Sequence, residues 1–149
     1  MKRSLTASVF IPALVFALAS AAPPAVAEDA DSAVEIPVKK QSGINYVSGG
    51  MNDAEKKAMH KVANKYPMQL VFTGPDASRE LEGVKITVTD LRGDKIIEAQ
   101  AQGPWFYFNP PSGRYTMKAE YQGETVERTV DLVGRRYIVL EFHFGGEKG

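Results

Sequence analysis

From residue 68 to the C-terminus, apolar and polar residues alternate in short runs that are separated by turn residues. Val84, Ile86 and Val88 form one such run, because a polar residue stands after each of the first two. Successive side chains of a β-strand point to opposite faces, so each run predicts a strand with one buried face. Turn signals recur about every 8–12 residues, which predicts about seven short strands. The pattern therefore indicates a mainly β fold, an antiparallel β-sandwich.

A single amphipathic helix is predicted in front of these strands, over residues 52–66. Asn52 is a good N-cap residue, and Glu55 follows three positions later, as in a capping box. Pro67 ends the helix because proline disfavours helical geometry in the residue before it. Apolar residues recur at helical spacing and form one stripe: Ala58, Met59, Val62, Ala63 and Tyr66. We therefore expect residues 45–67 to be an N-terminal strand and a helix, and residues 68–149 to be the sandwich.

The N-terminal residues have the pattern of a secretory signal peptide. Lys2 and Arg3 precede an uncharged apolar run over residues 5–22, and Ala25-Val26-Ala27 supplies the small residues of a cleavage site. A membrane anchor is the alternative, but Pro12 weakens the run as a permanent span. We expect residues 1–27 to be removed, residues 28–44 to be a flexible leader, and the mature protein to be periplasmic or secreted without a stable membrane anchor.

Charge and cysteine content exclude several classes of protein. The chain has 18 basic and 18 acidic residues, so its formal net charge is zero, which argues against binding nucleic acid by counterion release. It has no cysteine, which rules out disulfides, thiolate metal sites, a cysteine nucleophile and a lipid anchor on cysteine. The exported domain must then be stabilised by its hydrophobic core.

Two segments resemble a known family. The segment 83–90 (GVKITVTD) with the turn at Gly93-Asp94, and the segment 111–119 (PSGRYTMKA), are similar to the carboxypeptidase regulatory-like domains, which are small transthyretin-like, immunoglobulin-like β-sandwiches. The resemblance covers about residues 68–144. It implies a sandwich without catalytic activity of its own, since members are accessory domains of peptidases, carriers and surface proteins. The chain also resembles small exported bacterial proteins that carry residues 46–50 (YVSGG) ahead of a helix.

No set of catalytic or metal-binding residues emerges from the sequence. His60 is predicted on the charged helix face and His143 on the solvent side of the last strand, and two distant histidines do not make a zinc site. A copper site of methionines with His60 is the alternative, but Met59, Met68 and Met117 fit apolar stripes and are better explained by core packing. We expect no catalytic residues, no metal and no cofactor.

Two surfaces are candidates for binding. In the aromatic run Trp105–Phe108, alternate side chains face opposite sides of a strand, so Trp105 and Tyr107 either pack under the helix or form an exposed platform for a sugar or peptide. Ser48, Gly49 and Gly50 precede the helix N-terminus, where backbone N–H groups can hold an anion. The alternative is that these residues only turn the chain into the helix.

These features lead to one preferred function and two alternatives. We expect a non-catalytic interaction module of the bacterial envelope that contacts a protein or a glycan through a sheet edge or the aromatic strand. The first alternative is a carrier or sensor of a small ligand or metal in the periplasm. The second is a hydrolase, which would need carboxylates such as Glu120, Asp131 or Glu141 gathered in a cleft.

Overall fold

The computed structural model describes residues 34–76, 81–134 and 136–145, so the predicted signal peptide lies outside the described residues. One helix, α1 (Asp53–Val62), is followed by a 3₁₀ turn at Ala63–Lys65. The strands in the described residues are β1 (Lys39–Gln41), β2 (Ile44–Gly49), β3 (Met68–Thr73), β4 (Lys85–Thr89), β5 (Lys95–Gln100), β6 (Trp105–Phe108), β7 (Gly113–Tyr121), β8 (Glu124–Leu132) and β9 (Ile138–His143).

The strands form two sheets, and the predicted mainly β sandwich is confirmed. One sheet has five strands in the order β1-β2-β6-β3-β9, and the other has four in the order β5-β4-β7-β8. Strands β3 to β9 are the seven that the alternating pattern predicts. All neighbouring strands are antiparallel except β3 and β9, which run parallel. This parallel pair is a departure from the all-antiparallel expectation, because β9 returns to the five-stranded sheet after β8 has completed the other.

The main core lies between the two sheets and is built from the apolar members of the alternating runs. Its fully buried large side chains are Met68, Leu70, Phe72, Leu81, Ile86, Ile97, Phe106, Phe108, Met117, Phe142 and Phe144. Burying one such side chain stabilises the fold by about 1.5–3 kcal/mol relative to its exposed state. Met68 and Met117 thus pack in the core, as the alternation predicts.

Helix α1 covers the outer face of the five-stranded sheet. Met59 is fully buried and packs with Val47, Tyr66 and Tyr107 in a second apolar cluster. The helix begins as predicted, since the Asn52 side chain accepts a hydrogen bond from the Glu55 N–H at 2.9 Å. The fold therefore has three layers, one helix and two sheets. Within the described residues, no helix combines the length and the hydropathy needed to cross a bilayer.

Residues 34–44 differ from the flexible leader that the sequence suggests. Gln41 pairs with Ile44 in a hairpin whose two turn residues, Ser42 and Gly43, both have positive φ, as a tight type I′ turn requires. Ile36 packs against the cluster under the helix, and Ile44 is buried in the main core. Apolar contacts to residues far along the chain therefore order a segment whose own composition is polar.

Two turns in the second sheet and at its start are held by side-chain hydrogen bonds. The Asp90 side chain accepts hydrogen bonds from the N–H groups of Arg92 and Asp94, at 2.9 and 3.0 Å, which holds the β4–β5 turn. After the turn between β6 and β7, the Tyr115 hydroxyl donates to the Pro111 carbonyl at 2.6 Å while its ring is buried. A hairpin turn thus accounts for the acidic residues of the first segment.

Candidate functional site

Strand β6 directs its four aromatic side chains to two different layers. Phe106 and Phe108 face the main core, whereas Tyr107 points outward and is covered by the helix. Only 4% of Tyr107 is exposed, and this burial raises the pKa of its hydroxyl through desolvation. The sequence left two alternatives for this side chain, packing under the helix or an exposed platform. Tyr107 packs under the helix, so its ring offers no binding surface.

Trp105 lies at the rim of the same layer and keeps part of its surface. Its ring stacks on Tyr107 with the centroids 6.3 Å apart, and His60 contacts it edge-on at 5.1 Å. Gly50 lies beneath the indole, and a Cβ atom there would come within 3.1 Å of the Trp105 ring. Trp105 is therefore the one member of the predicted platform pair that keeps an exposed part, and it lies beside the exposed His60.

The loop before the helix makes internal hydrogen bonds. The Ser48 hydroxyl donates to the Trp105 carbonyl at 3.0 Å and accepts from the Gln102 N–H at 2.9 Å. The N–H groups of Gly50 and Met51 both donate to Glu55 Oε2, at 3.0 and 2.9 Å. A carboxylate of the chain itself thus occupies the position that an anion would take at this helix N-terminus. An external anion would have to displace it.

Next to Gly50, the backbone of Gly49 is closely approached by Gly103. A Cβ atom on Gly103 would lie 2.4 Å from the Gly49 carbonyl oxygen, so no larger residue fits there without a shift. The contacts where β2, β6 and α1 meet therefore account for the residue types at positions 48–50. Their proposed role in binding stays a prediction.

One lateral side of the sandwich, where β1 and β5 are the outermost strands, is bridged by a side chain. The Gln41 carboxamide donates to the Glu98 carbonyl and accepts from the Glu98 N–H, both at 2.8 Å. The amide thereby satisfies both backbone groups of the β5 edge at this position, as a neighbouring strand would do. An open groove of about 540 Å³ lies on the same side, lined by Lys39, Tyr46, Glu82 and the backbone around residues 99–102.

The opposite lateral side carries an open strand edge with exposed apolar residues. Strand β9 pairs with β3 on one side, and no described strand pairs with its other side. Val139 and Tyr137 point away from the core and are 56% and 60% exposed. The Tyr137 hydroxyl donates to the Asn64 carbonyl at 2.8 Å, so the start of β9 is tied to the 3₁₀ turn that follows the helix. Unpaired backbone groups and apolar side chains together are typical of an edge that accepts another strand.

Basic side chains surround the start of this edge. Lys61 and Lys65 are exposed on the helix end that holds Tyr137, and the exposed Arg136 precedes it in the chain. We call Lys61, Lys65 and Arg136 the basic corner. Four residues beyond Tyr137, Glu141 is exposed on the outer face of β9. The edge is thus basic at its start and acidic near its middle.

The remaining polar side chains form pairs on solvent-exposed faces. His143 is exposed and its Nδ1 atom lies 2.9 Å from the Thr73 hydroxyl. Arg114 donates two hydrogen bonds to Asp131, which hold the pKa of that carboxyl below its usual range. Within the described residues, no group of three or more histidine, aspartate or glutamate side chains lies close enough to hold a metal ion.

Comparisons with known proteins returned no relative: neither a scan against protein-family models nor a search of curated proteins found a match.

Two features of the site were not predicted from the sequence, the contact of Gln41 with β5 and the open edge of β9. A local signal existed only for the second, because Val139 is an apolar residue on the polar side of an alternating run. Gln41 contacts a residue 57 positions away, and no local sequence pattern predicts a contact at that distance along the chain.

Proposed function

We propose that this protein is a non-catalytic interaction module of the bacterial envelope, and that it binds an extended segment of a partner protein by strand addition to β9. The observation that carries this proposal is the difference between the two lateral sides of the sandwich. On one side Gln41 joins β1 to the Glu98 backbone of β5, while the other side exposes the backbone of β9 together with Tyr137 and Val139. In strand addition, backbone hydrogen bonds supply affinity and alternate side chains supply specificity.

The length and composition of β9 suit this role. Its six residues match the usual length of a strand, and its inner face is anchored in the core by Phe142. The edge is therefore rigid before a partner arrives, which lowers the entropic cost of binding. By contrast, the free edge of β8 has the exposed residues Glu127, Arg128 and Thr129 in its middle, and charged side chains of this kind discourage strand pairing.

The compartment and the family are part of the proposal. The signal-peptide pattern of residues 1–27 supports export to the periplasm or beyond. The resemblance to carboxypeptidase regulatory-like domains supports an accessory role in which the sandwich contacts other macromolecules. A binding module needs none of the assembled catalytic groups that an enzyme requires, which agrees with the separate positions of His60 and His143 on the helix and on β9.

The test is site-specific photo-crosslinking in cells. Benzoylphenylalanine replaces Val139 in one variant and Lys118 in a matched control. Lys118 is an exposed residue of β7 on the outer face of the other sheet. We expect a defined adduct with one envelope protein at position 139 and not at position 118, and mass spectrometry of the adduct should identify an extended segment. The proposal fails if position 139 yields no adduct with another protein, or if both positions yield the same set.

A further inference from the structure

We infer that, in the absence of another partner, the β9 edge pairs with β9 of a second copy of this chain, which joins the two five-stranded sheets across a two-fold axis at Val139. This inference concerns the edge used in the proposed function, but it needs no other protein. An edge strand that exposes apolar side chains is a template for any compatible strand, and identical chains offer the most abundant one.

The outer face of β9 is self-complementary about Val139. Val139 and Glu141 share the outer face of β9, and Tyr137, directly before the strand, continues the same alternation. In an antiparallel pair related by a two-fold axis, a residue on the axis lies opposite its own copy, and residues at equal distances on either side lie opposite each other. With Val139 on the axis, the two valines meet, and Tyr137 of each copy lies opposite Glu141 of the other copy.

The charges agree with this register. Tyr137 is bound through its hydroxyl to Asn64, between Lys61 and Lys65 in the chain, so it stands at the basic corner. Glu141 of the second copy is brought to that corner, because directly opposite side chains have Cβ atoms about 4.5–5.5 Å apart and neighbouring long side chains are within reach. The symmetry makes this contact twice. Moving the axis to Glu141 would instead place two like carboxylates face to face.

The other edges of the described strands are less suited to self-pairing. At β5, the Gln41 carboxamide already occupies the Glu98 backbone groups. At β8, an axis at Glu127 or Arg128 opposes identical charges, and no large side chain of that strand is exposed and apolar. Val38, which directly precedes the edge strand β1, is also exposed, but β1 has only three residues, whereas Tyr137 and Val139 lie together at the six-residue β9. Apolar exposure and charge pattern therefore select the same edge.

The absence of cysteine from the chain permits a direct test. We propose to substitute Val139→Cys and oxidise the purified protein without reductant. Cα atoms of directly opposite residues lie about 4.5–5.5 Å apart, within the range that a disulfide spans. Val133→Cys is the matched control, because Val133 is 71% exposed but lies six positions from the axis, so its two copies would be far apart. We expect a covalent dimer with Val139→Cys at least about ten-fold faster than with Val133→Cys. Equal rates would overturn the inference.

Sedimentation of the unmodified protein provides the second measurement. We expect reversible dimers at roughly 10–500 µM, and monomers for Val139→Lys, which places two like charges on the axis. Glu141→Lys should weaken the dimer about ten-fold or more, and adding Lys61→Glu and Lys65→Glu should restore most of that loss. A wild-type chain that stays monomeric over this range contradicts the inference, as does a dimer that is indifferent to both Val139→Lys and Glu141→Lys.

The two proposals fail separately. The sedimentation and disulfide experiments contain only this chain, so a negative result removes the self-pairing and leaves the adduct test of the proposed function untouched. An adduct at position 139 that contains only a second copy of the chain would support the self-pairing and remove the proposed partner protein.

Discussion

The Glu55 carboxylate fastens the first turn of the helix to the loop between β2 and α1, and its removal tests how much this contact stabilises the fold. One of its oxygens accepts hydrogen bonds from the N–H groups of Gly50 and Met51. In Glu55→Ala, both N–H groups lose their acceptor in a partly buried loop. Because Gly50 lies directly beneath Trp105, the loss should loosen the packing of the indole as well as the first turn of the helix.

The magnitude follows from the groups involved. Each hydrogen bond to the carboxylate contributes about 1–1.5 kcal/mol at this partly exposed position, toward the low end for charged acceptors. The favourable interaction of a negative charge with the helix N-terminus adds about 0.5 kcal/mol, and the better helix propensity of alanine returns a few tenths. We therefore expect Glu55→Ala to lower the free energy of unfolding by about 2–3 kcal/mol.

The assay is urea unfolding at neutral pH, followed by the fluorescence of Trp105, the one tryptophan in the chain. Asp53→Ala is the matched control, because Asp53 is an exposed acid in the same helical turn and shares only the interaction with the helix N-terminus. Its loss should be about 0.5 kcal/mol. If Glu55→Ala and Asp53→Ala agree within about 0.5 kcal/mol, the two loop hydrogen bonds do not have the stabilising role assigned to them.

Three further predictions concern other contacts. Gln41→Ala should lower the free energy of unfolding by about 1–2 kcal/mol in urea titrations, and an unchanged midpoint would show that the capped edge contributes nothing to stability. Arg114→Ala should raise the pKa of Asp131, measured from the NMR shift of its carboxyl carbon. The stabilisation from this pair should be present above the ordinary pKa of the carboxyl and fade as the pH falls through the lowered pKa, so an unshifted titration would contradict it. Gly50→Ala should destabilise the fold more than Gly43→Ala, because both have positive φ but only the first meets Trp105, and equal losses would exclude that contact as the cause.

Most of the fold was predictable because its signals are local. The alternation of the runs after residue 68 located strands β3 to β9, and Asn52 with Pro67 marked the ends of the helical segment. The tight turn between β7 and β8 also has a local signal, because Gly123 readily takes the positive φ that both Gln122 and Gly123 have there. These features depend on side chains within a few positions of each other, so a short stretch of sequence contains the relevant interactions.

The candidate site was predictable only in part. The outward direction of Trp105 and Tyr107 followed from strand alternation, but their exposure depended on where the helix would lie, and it covers Tyr107 while leaving the rim of Trp105 free. The sequence also suggested that a sheet edge would be the binding surface without indicating which one. The capping of β5 by Gln41 joins residues 57 positions apart, so the open edge could be recognised only in the assembled sheets.

By itself, the sequence determined the type of the elements from the helix onward, the buried face of their strands and the dependence on a hydrophobic core without disulfides. The tertiary structure alone decided the strand order, the parallel pairing of β3 with β9, the pairing of β1 with β2 and the difference between the lateral side bridged by Gln41 and the side with the open β9 edge. The physical reason is that periodicity and turn chemistry act over a few residues, whereas strand order results from burying all apolar faces at once. The exposed Val139 becomes informative only when its strand is known to be the last in its sheet.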